Sequence, residues 1–186
     1  LSIPEVPRPA CAAAIIRVGG MAAGSIGANG LANGFSTTTP PFEAFDSPFG
    51  GWLEIIGLMP SCTECSQFKV EYGAWPNTTT PPTTWMPLNE PFKEWSFIWP
   101  GWYIRVDRTP TTDGWLDILC TTTMGGLYMP WNTSGKNGKY SIRLTVKENG
   151  GVEHVSVPVV VMLDNTVPDA TLTLDVVPVC GDVYAG

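Results

Sequence analysis

GKYSIRLTVKENGGVEHVSVPVVVMLDNTVPDATLTL, residues 138–174, is the stretch whose reading decides the fold. Tyr140, Ile142, Leu144 and Val146 alternate with Ser141, Arg143, Thr145 and Lys147, the period-2 pattern of a strand with one buried and one wet face. Asn149-Gly150-Gly151 follows and tolerates the positive φ that a hairpin turn requires. The return strand places Val155, Val157, Val159, Val161 and Leu163 on one face, with His154, Ser156 and Pro158 opposite. Pro158 lacks an N–H for the ladder and calls for an edge or a bulge. Beyond Val159 both faces are apolar, which predicts cover on both sides. Residues 164–169 then break the pattern with turn formers and Pro168. A further alternating run begins at once: Leu172, Leu174 and Val176 against Thr171, Thr173 and Asp175.

The rest of the chain carries the same period. Strands are predicted over residues 11–18, 52–58, 67–72, 94–99, 102–107 and 115–120. Between them lie loops rich in Gly, Pro and Thr, among them 19–34, 37–48, 73–91 and 124–137. Gly and Pro together make up 38 of 186 residues (20 and 18) and charged residues only 15%, the composition of an all-β protein with many turns. The spacing of strands predicts one enlarged antiparallel β-sandwich over 10–168. Residues 1–9 form an extended lead-in, and 169–186 a linker-plus-strand extension.

Two segments carry a resemblance. Gly138-Lys-Tyr140 through Val146, with Val159 through Asp164-Asn165-Thr166-Val-Pro168, resembles the closing hairpin and linker of immunoglobulin-like or fibronectin-type repeats in large prokaryotic surface proteins. Residues 68–73 followed by 85–88 are a fainter echo of the same repeats. The resemblance covers about the last quarter of the chain. It implies an immunoglobulin-like sandwich and a cell-surface or extracellular address, and it implies a fold more than an activity.

The net charge of −7 speaks against nucleic acid or an anionic membrane as the main partner. No apolar run is long enough to span a bilayer. Residues 24–30 (GSIGANG) have neither the strand–loop–helix setting nor the Lys-Ser/Thr ending of a phosphate loop. The five cysteines are Cys11, Cys62, Cys65, Cys120 and Cys180. A zinc site would need two more ligands near Cys62-Thr-Glu-Cys65, and a redox CxxC would need a βαβ setting. Structural disulfides remain, with Cys120 assigned to Cys62 or Cys65.

Eight tryptophans are many for this length. Those on strands (Trp52, Trp95, Trp102 and Trp115) are expected in the core, because each ring buries a large apolar area. Trp75, Trp85, Trp99 and Trp131 sit beside prolines or in loops and are candidates for exposed contacts with glycans or a neighbouring subunit. Acidic pairs such as Glu43 with Asp46, Glu90 with Glu94 and Asp113 with Asp117 lie in no catalytic frame. His154, on a wet strand face, is expected to be solvated. The chain is therefore read as a non-enzyme that needs no cofactor. Asp164, Asn165 and Asp169 bring oxygen donors together as a calcium candidate, set against their ordinary role in turns. Asn77 and Asn132 head N-glycosylation sequons.

Two functions follow as expectations. The strand through Ala170, Leu172, Leu174 and Val176 is not stable alone and must pair with a sheet edge. A neighbouring copy or repeat would then be the partner, in a structural subunit of a filament, fibre or surface layer. The tryptophans support instead a carbohydrate-binding accessory module of a larger secreted enzyme or adhesin.

Overall fold

The computed structural model describes residues 11–20, 35–36, 49–77, 79–98, 102–120 and 126–166. The lead-in 1–9, the strand through Ala170, Leu172, Leu174 and Val176, and Asp169, Trp99 and Cys180 lie outside them. Among the described residues there are twelve strands and no helix. They are β1 (Ile15–Gly20), β2 (Phe35–Ser36), β3 (Trp52–Gly57), β4 (Cys65–Ala74), β5 (Met86–Pro87) and β6 (Phe92–Ile98). Then come β7 (Trp102–Arg108), β8 (Leu116–Asp117), β9 (Leu127–Asn132), β10 (Gly138–Glu148), β11 (Glu153–Val155) and β12 (Val159–Leu163).

One sheet has the order β2-β1-β3-β9. A second runs β11-β10-β4-β5, with β12 also on β10 and β8 also on β4, and β6 with β7 makes a separate hairpin. All these pairings are antiparallel. The alternation read from residues 140–147 holds in direction, with Ile142, Leu144 and Val146 buried in the core and Arg143 and Lys147 half-buried on the other face, but that face is not wet throughout: Ser141 and Thr145 are buried as well. Phe68 and Val70 of β4 join Ile142, Leu144 and Val146 from the same sheet. Val18, Leu53, Ile55, Met129 and Trp131 face them from the other sheet, in a single hydrophobic core. The result is an all-β fold of antiparallel sheets, consistent with a β-sandwich.

Two expectations about elements need correction. Residues 127–132, expected within a loop, form β9 and pair with β3 from Trp52↔Asn132 to Gly57↔Leu127. The strand is buried from Leu127 through Trp131, so it shows no period of two. Tyr128 meets Phe92 of β6 edge-on at 5.7 Å, which helps to cover its second face. Pro130 is tolerated because β9 is the last strand of its sheet.

The return strand of the 138–163 hairpin is also not continuous. β11 pairs with the far half of β10, β12 with the near half, and the two lie either side of Pro158. Ser156 turns inward: its N–H donates to the Leu144 carbonyl at 2.8 Å and its hydroxyl accepts the Leu144 N–H at 2.9 Å. One extra residue in this interval reverses the phase. Val159, Val161 and Leu163 are buried, whereas Val155 and Val157 are 55% and 67% exposed. Met162, expected under cover, is 39% exposed.

Two disulfides staple the sheets, Cys11–Cys65 and Cys62–Cys120. Cys120 thus joins Cys62. Cys65 pairs with Cys11, just before β1, and ties the first sheet to the second. Such bonds suit an oxidising, extracellular-type environment. No helix of the described residues is long and apolar enough to cross a membrane.

Candidate functional site

The outer face of the β4–β10 ladder is where Trp75, Trp85 and Trp115 gather. On β10 the outward residues are Lys139, Ser141, Arg143, Thr145 and Lys147. On β4 they are Gln67, Lys69, Glu71 and Gly73, held in register by Ser141↔Gly73, Arg143↔Glu71, Thr145↔Lys69 and Lys147↔Gln67. Trp75 donates its indole N–H to the Ser141 hydroxyl at 2.8 Å, and Lys139 Nζ stands 3.8 Å from its ring centre. The Arg143 guanidinium lies 4.2 Å from the Trp85 ring while its Nε donates to Glu71 Oε2 at 2.8 Å. Lys69 and Lys147 stand 4.9 and 5.0 Å from the Trp115 ring. Cations and indoles thus interleave along the sheet, each pair stabilised by the ring quadrupole.

Trp115 was expected in the core and is instead half-buried on this face. The reason is the phase of β8. Phe68↔Leu116 and Gln67↔Asp117 are paired, and Leu116 is buried, so Trp115 and Asp117 point outward. A tight turn fixes the Trp115 backbone. Trp115 N–H donates to Thr111 Oγ1 at 3.0 Å, Thr111 N–H to the Trp115 carbonyl at 2.9 Å, and Gly114 N–H to the Thr111 carbonyl at 2.8 Å. Gly114 has φ +83°, and a Cβ there would meet Pro87 Cβ at 2.7 Å, so only glycine fits.

Trp115 walls a cleft of about 300 Å³ together with Gln67, Asp107, Arg108, Thr109, Thr111, Leu116 and Asp117. Gln67 Nε2 donates to Asp117 Oδ1 at 3.0 Å. Arg108 is buried at the junction: its Nε lies 3.4 Å from Glu94 Oε2, and its Nη2 donates to the Asp117 carbonyl, tying the β6–β7 hairpin to β8. Burial pulls the Arg108 pKa below its ordinary value, against the upward pull of Glu94 and Asp117.

The other sequence candidates fall elsewhere. Trp131 is 2% exposed in the core, 4.9 Å from the Tyr72 ring and 5.9 Å from that of Tyr140. It is not an exposed contact, because β9 is buried on both faces. Trp52, expected in the core, is 37% exposed. His154 is half-buried with Nε2 2.7 Å from Glu148 Oε1, rather than freely solvated. Asn77 is exposed, and its Oδ1 accepts from Thr79 N–H and Oγ1 at 2.9 Å each and from Thr80 N–H at 2.7 Å. Asn132 is half-buried at the end of β9, and its Oδ1 accepts the Ser134 N–H at 3.0 Å.

Asn165 is a clasp. Its Oδ1 accepts the Gly51 N–H at 2.8 Å, and its Nδ2 donates to the carbonyls of Thr133 at 2.9 Å and Lys136 at 2.6 Å. Its own N–H donates to Asn137 Oδ1 at 2.6 Å. Beside it, Asp164 Oδ1 accepts the Thr166 N–H at 2.9 Å, and the Thr166 hydroxyl and N–H hold the Asp164 carboxyl below its ordinary pKa. The Asn165 carboxamide is therefore committed to the fold. Among the described residues no three His, Cys, Asp or Glu side chains converge on a common point.

No protein-family model matches the chain, and a search of curated proteins finds no match either.

Proposed function

We propose that the chain is an extracellular structural domain of a surface filament, fibre or surface layer, with an immunoglobulin-like sandwich that assembles head to tail through β-strand contacts. The observation that carries this reading is the Asn165 clasp. Hydrogen bonds from one residue reach Gly51, Thr133, Lys136 and Asn137, around the ends of strands from both sheets. A chain leaving Thr166 from such an anchor starts in a set direction, as a joint between stacked units requires. The alternating run through Ala170, Leu172, Leu174 and Val176 would be the strand delivered to the neighbour. An apt receiving edge is that of β11, the end strand of its sheet path, beside exposed Val152, Val155 and Val157. A contact of this heterologous kind propagates instead of closing.

Negative-stain microscopy of the whole chain tests the reading, with a chain ending at Thr166 beside it. Fibres with an axial repeat from the whole chain and monomers from the shortened one are the expected pair. Assembly that persists after the shortening would sink strand donation, and a whole chain that stays monomeric when concentrated would sink the structural role.

A further inference from the structure

We infer that the cleft beside Trp115 is a binding site for a neutral sugar ring. This inference is independent of how copies of the chain assemble, and the cleft uses none of the loop tryptophans the sequence singles out.

A pyranose offers two kinds of surface, an apolar face of C–H groups and a rim of hydroxyls. The cleft offers both complements. Trp115 lines the cleft, and the Lys69 and Lys147 ammonium groups stand 4.9 and 5.0 Å from its ring centre, so a sugar would pack on the part of the indole that they leave open. The Trp115 backbone is locked by three hydrogen bonds to and within the 111–115 turn, and Gly114 permits that turn to lie against Pro87. The backbone that carries the indole therefore needs no ordering when a ring binds. Around the indole stand groups suited to hydroxyls: Gln67, Asp117, Asp107, Thr109 and Thr111. The Gln67–Asp117 bond uses one N–H and one oxygen, so the amide oxygen, the second N–H and the other carboxylate oxygen remain for a ligand. Thr111 Oγ1 already accepts the Trp115 N–H, which leaves its hydroxyl proton to donate.

Charge argues for a neutral ligand. The ions at the cleft are paired off: Arg108 with Glu94 at 3.4 Å, Asp107 with Lys93 at 3.2 Å, and Lys69 with Glu71 at 3.4 Å. Of the residues that line the cleft itself, Asp107, Asp117 and Arg108 carry charge, a balance that gives a uronate no excess of cations to bind. The volume of about 300 Å³ is at the small end for ligand sites and suits a ring or two, not a long buried chain.

The test uses the whole chain and the methyl glycosides of glucose, galactose, mannose, N-acetylglucosamine and glucuronic acid, followed by indole N–H resonances and tryptophan fluorescence. At least one of the four neutral glycosides is expected to shift the Trp115 indole. Trp115→Ala is expected to weaken that binding at least about tenfold, with Trp115→Phe retaining most of it and Trp75→Ala leaving it unchanged. Gln67→Ala, a surface change that spares the turn, is expected to weaken it several-fold, which guards against a folding defect in the Trp115 variants. No response to any neutral glycoside would overturn the inference. So would binding that survives both Trp115→Ala and Gln67→Ala, or a glucuronide that binds tenfold more tightly than the glucoside.

Discussion

Asn165 shows how much one side chain can hold. Asn165→Ala leaves the Gly51 N–H and the Lys136 carbonyl without their partner, while the Thr133 carbonyl keeps the Lys136 N–H, and an orphaned group in a part-buried site costs about 1–3 kcal/mol. The expected outcome is a loss of about 2–3 kcal/mol, read from the denaturant midpoint at unchanged slope. Asn165→Asp keeps an acceptor for Gly51 but turns a carboxylate oxygen toward two carbonyls, so its loss should be larger at neutral pH than at pH 3. Tyr128 carries a second residue-scale prediction. It is 6% exposed, and burial pushes its pKa from 10.0 up to about 12, helped by Glu54 and Glu94. Below pH 10 the ring is protonated folded or unfolded, and the whole contribution to stability is present. Between pH 10 and about 12 the unfolded chain ionises first, so stability falls by about 2–3 kcal/mol. Absorbance titration and unfolding curves across that interval, compared with Tyr128→Phe, should show the fall in the native protein and a smaller one in the variant. Neither role is legible from neighbouring residues. Asn165 reads as a turn former because its partners at 51, 133 and 136 are remote in sequence, and Tyr128 sits in a segment without alternation.

Strands that alternate polar with apolar residues announce themselves, and strands apolar on both faces do not. The alternation of β10 places Ile142, Leu144 and Val146 inward, as their spacing predicts. β9 has no polar face to alternate with, and Pro130 argues against a strand, so Leu-Tyr-Met-Pro-Trp-Asn reads as loop. The half-turn of phase around Pro158 was legible only as a need for a bulge. Which side each valine took depended on Ser156 meeting Leu144. The same logic hides the cleft. Trp115 reads as core until the pairing of β8 shows that Leu116 takes the inner position. Two predictions belong here. Ser156→Ala removes the acceptor of the buried Leu144 N–H and should cost about 1–2 kcal/mol, with hydrogen exchange rising at Leu144 ahead of Ile142. Gly126 precedes β9, and a Cβ there would collide with the carbonyl oxygen of Gly57, a backbone atom that cannot step aside. Gly126→Ala should therefore part the β3–β9 end at Gly57↔Leu127, exposing Leu127 and Tyr128 and lowering the melting temperature.

The whole molecule is closed by two disulfides that differ in setting, and their order of opening is a property of the fold. Cys11 and Cys65 are 1% and 3% exposed, inside the core between the sheets, whereas Cys62 and Cys120 are exposed on loops. Exchange needs a thiolate to reach a sulfur, so access sets the rate. A mild reductant without denaturant should open Cys62–Cys120 first and leave Cys11–Cys65 intact until the sheets separate. Each bond closes a loop of more than fifty residues, with separations of 54 and 58. In the chain-entropy view each then contributes about 4 kcal/mol through the unfolded state. The half-reduced protein should keep its strand spectrum and unfold at lower denaturant, while the fully reduced one should lose both its spectrum and its cleft. Alkylation at increasing reductant, mapped by peptide mass spectrometry so that Cys180 is told apart, follows the order directly. Label at Cys62 and Cys120 well before label at Cys11 and Cys65 is the expected course. All four sites labelling together, with the strand spectrum collapsing at the same step, would mean that the exposed bond is as integral to the fold as the buried one and that the two sheets open as a single unit.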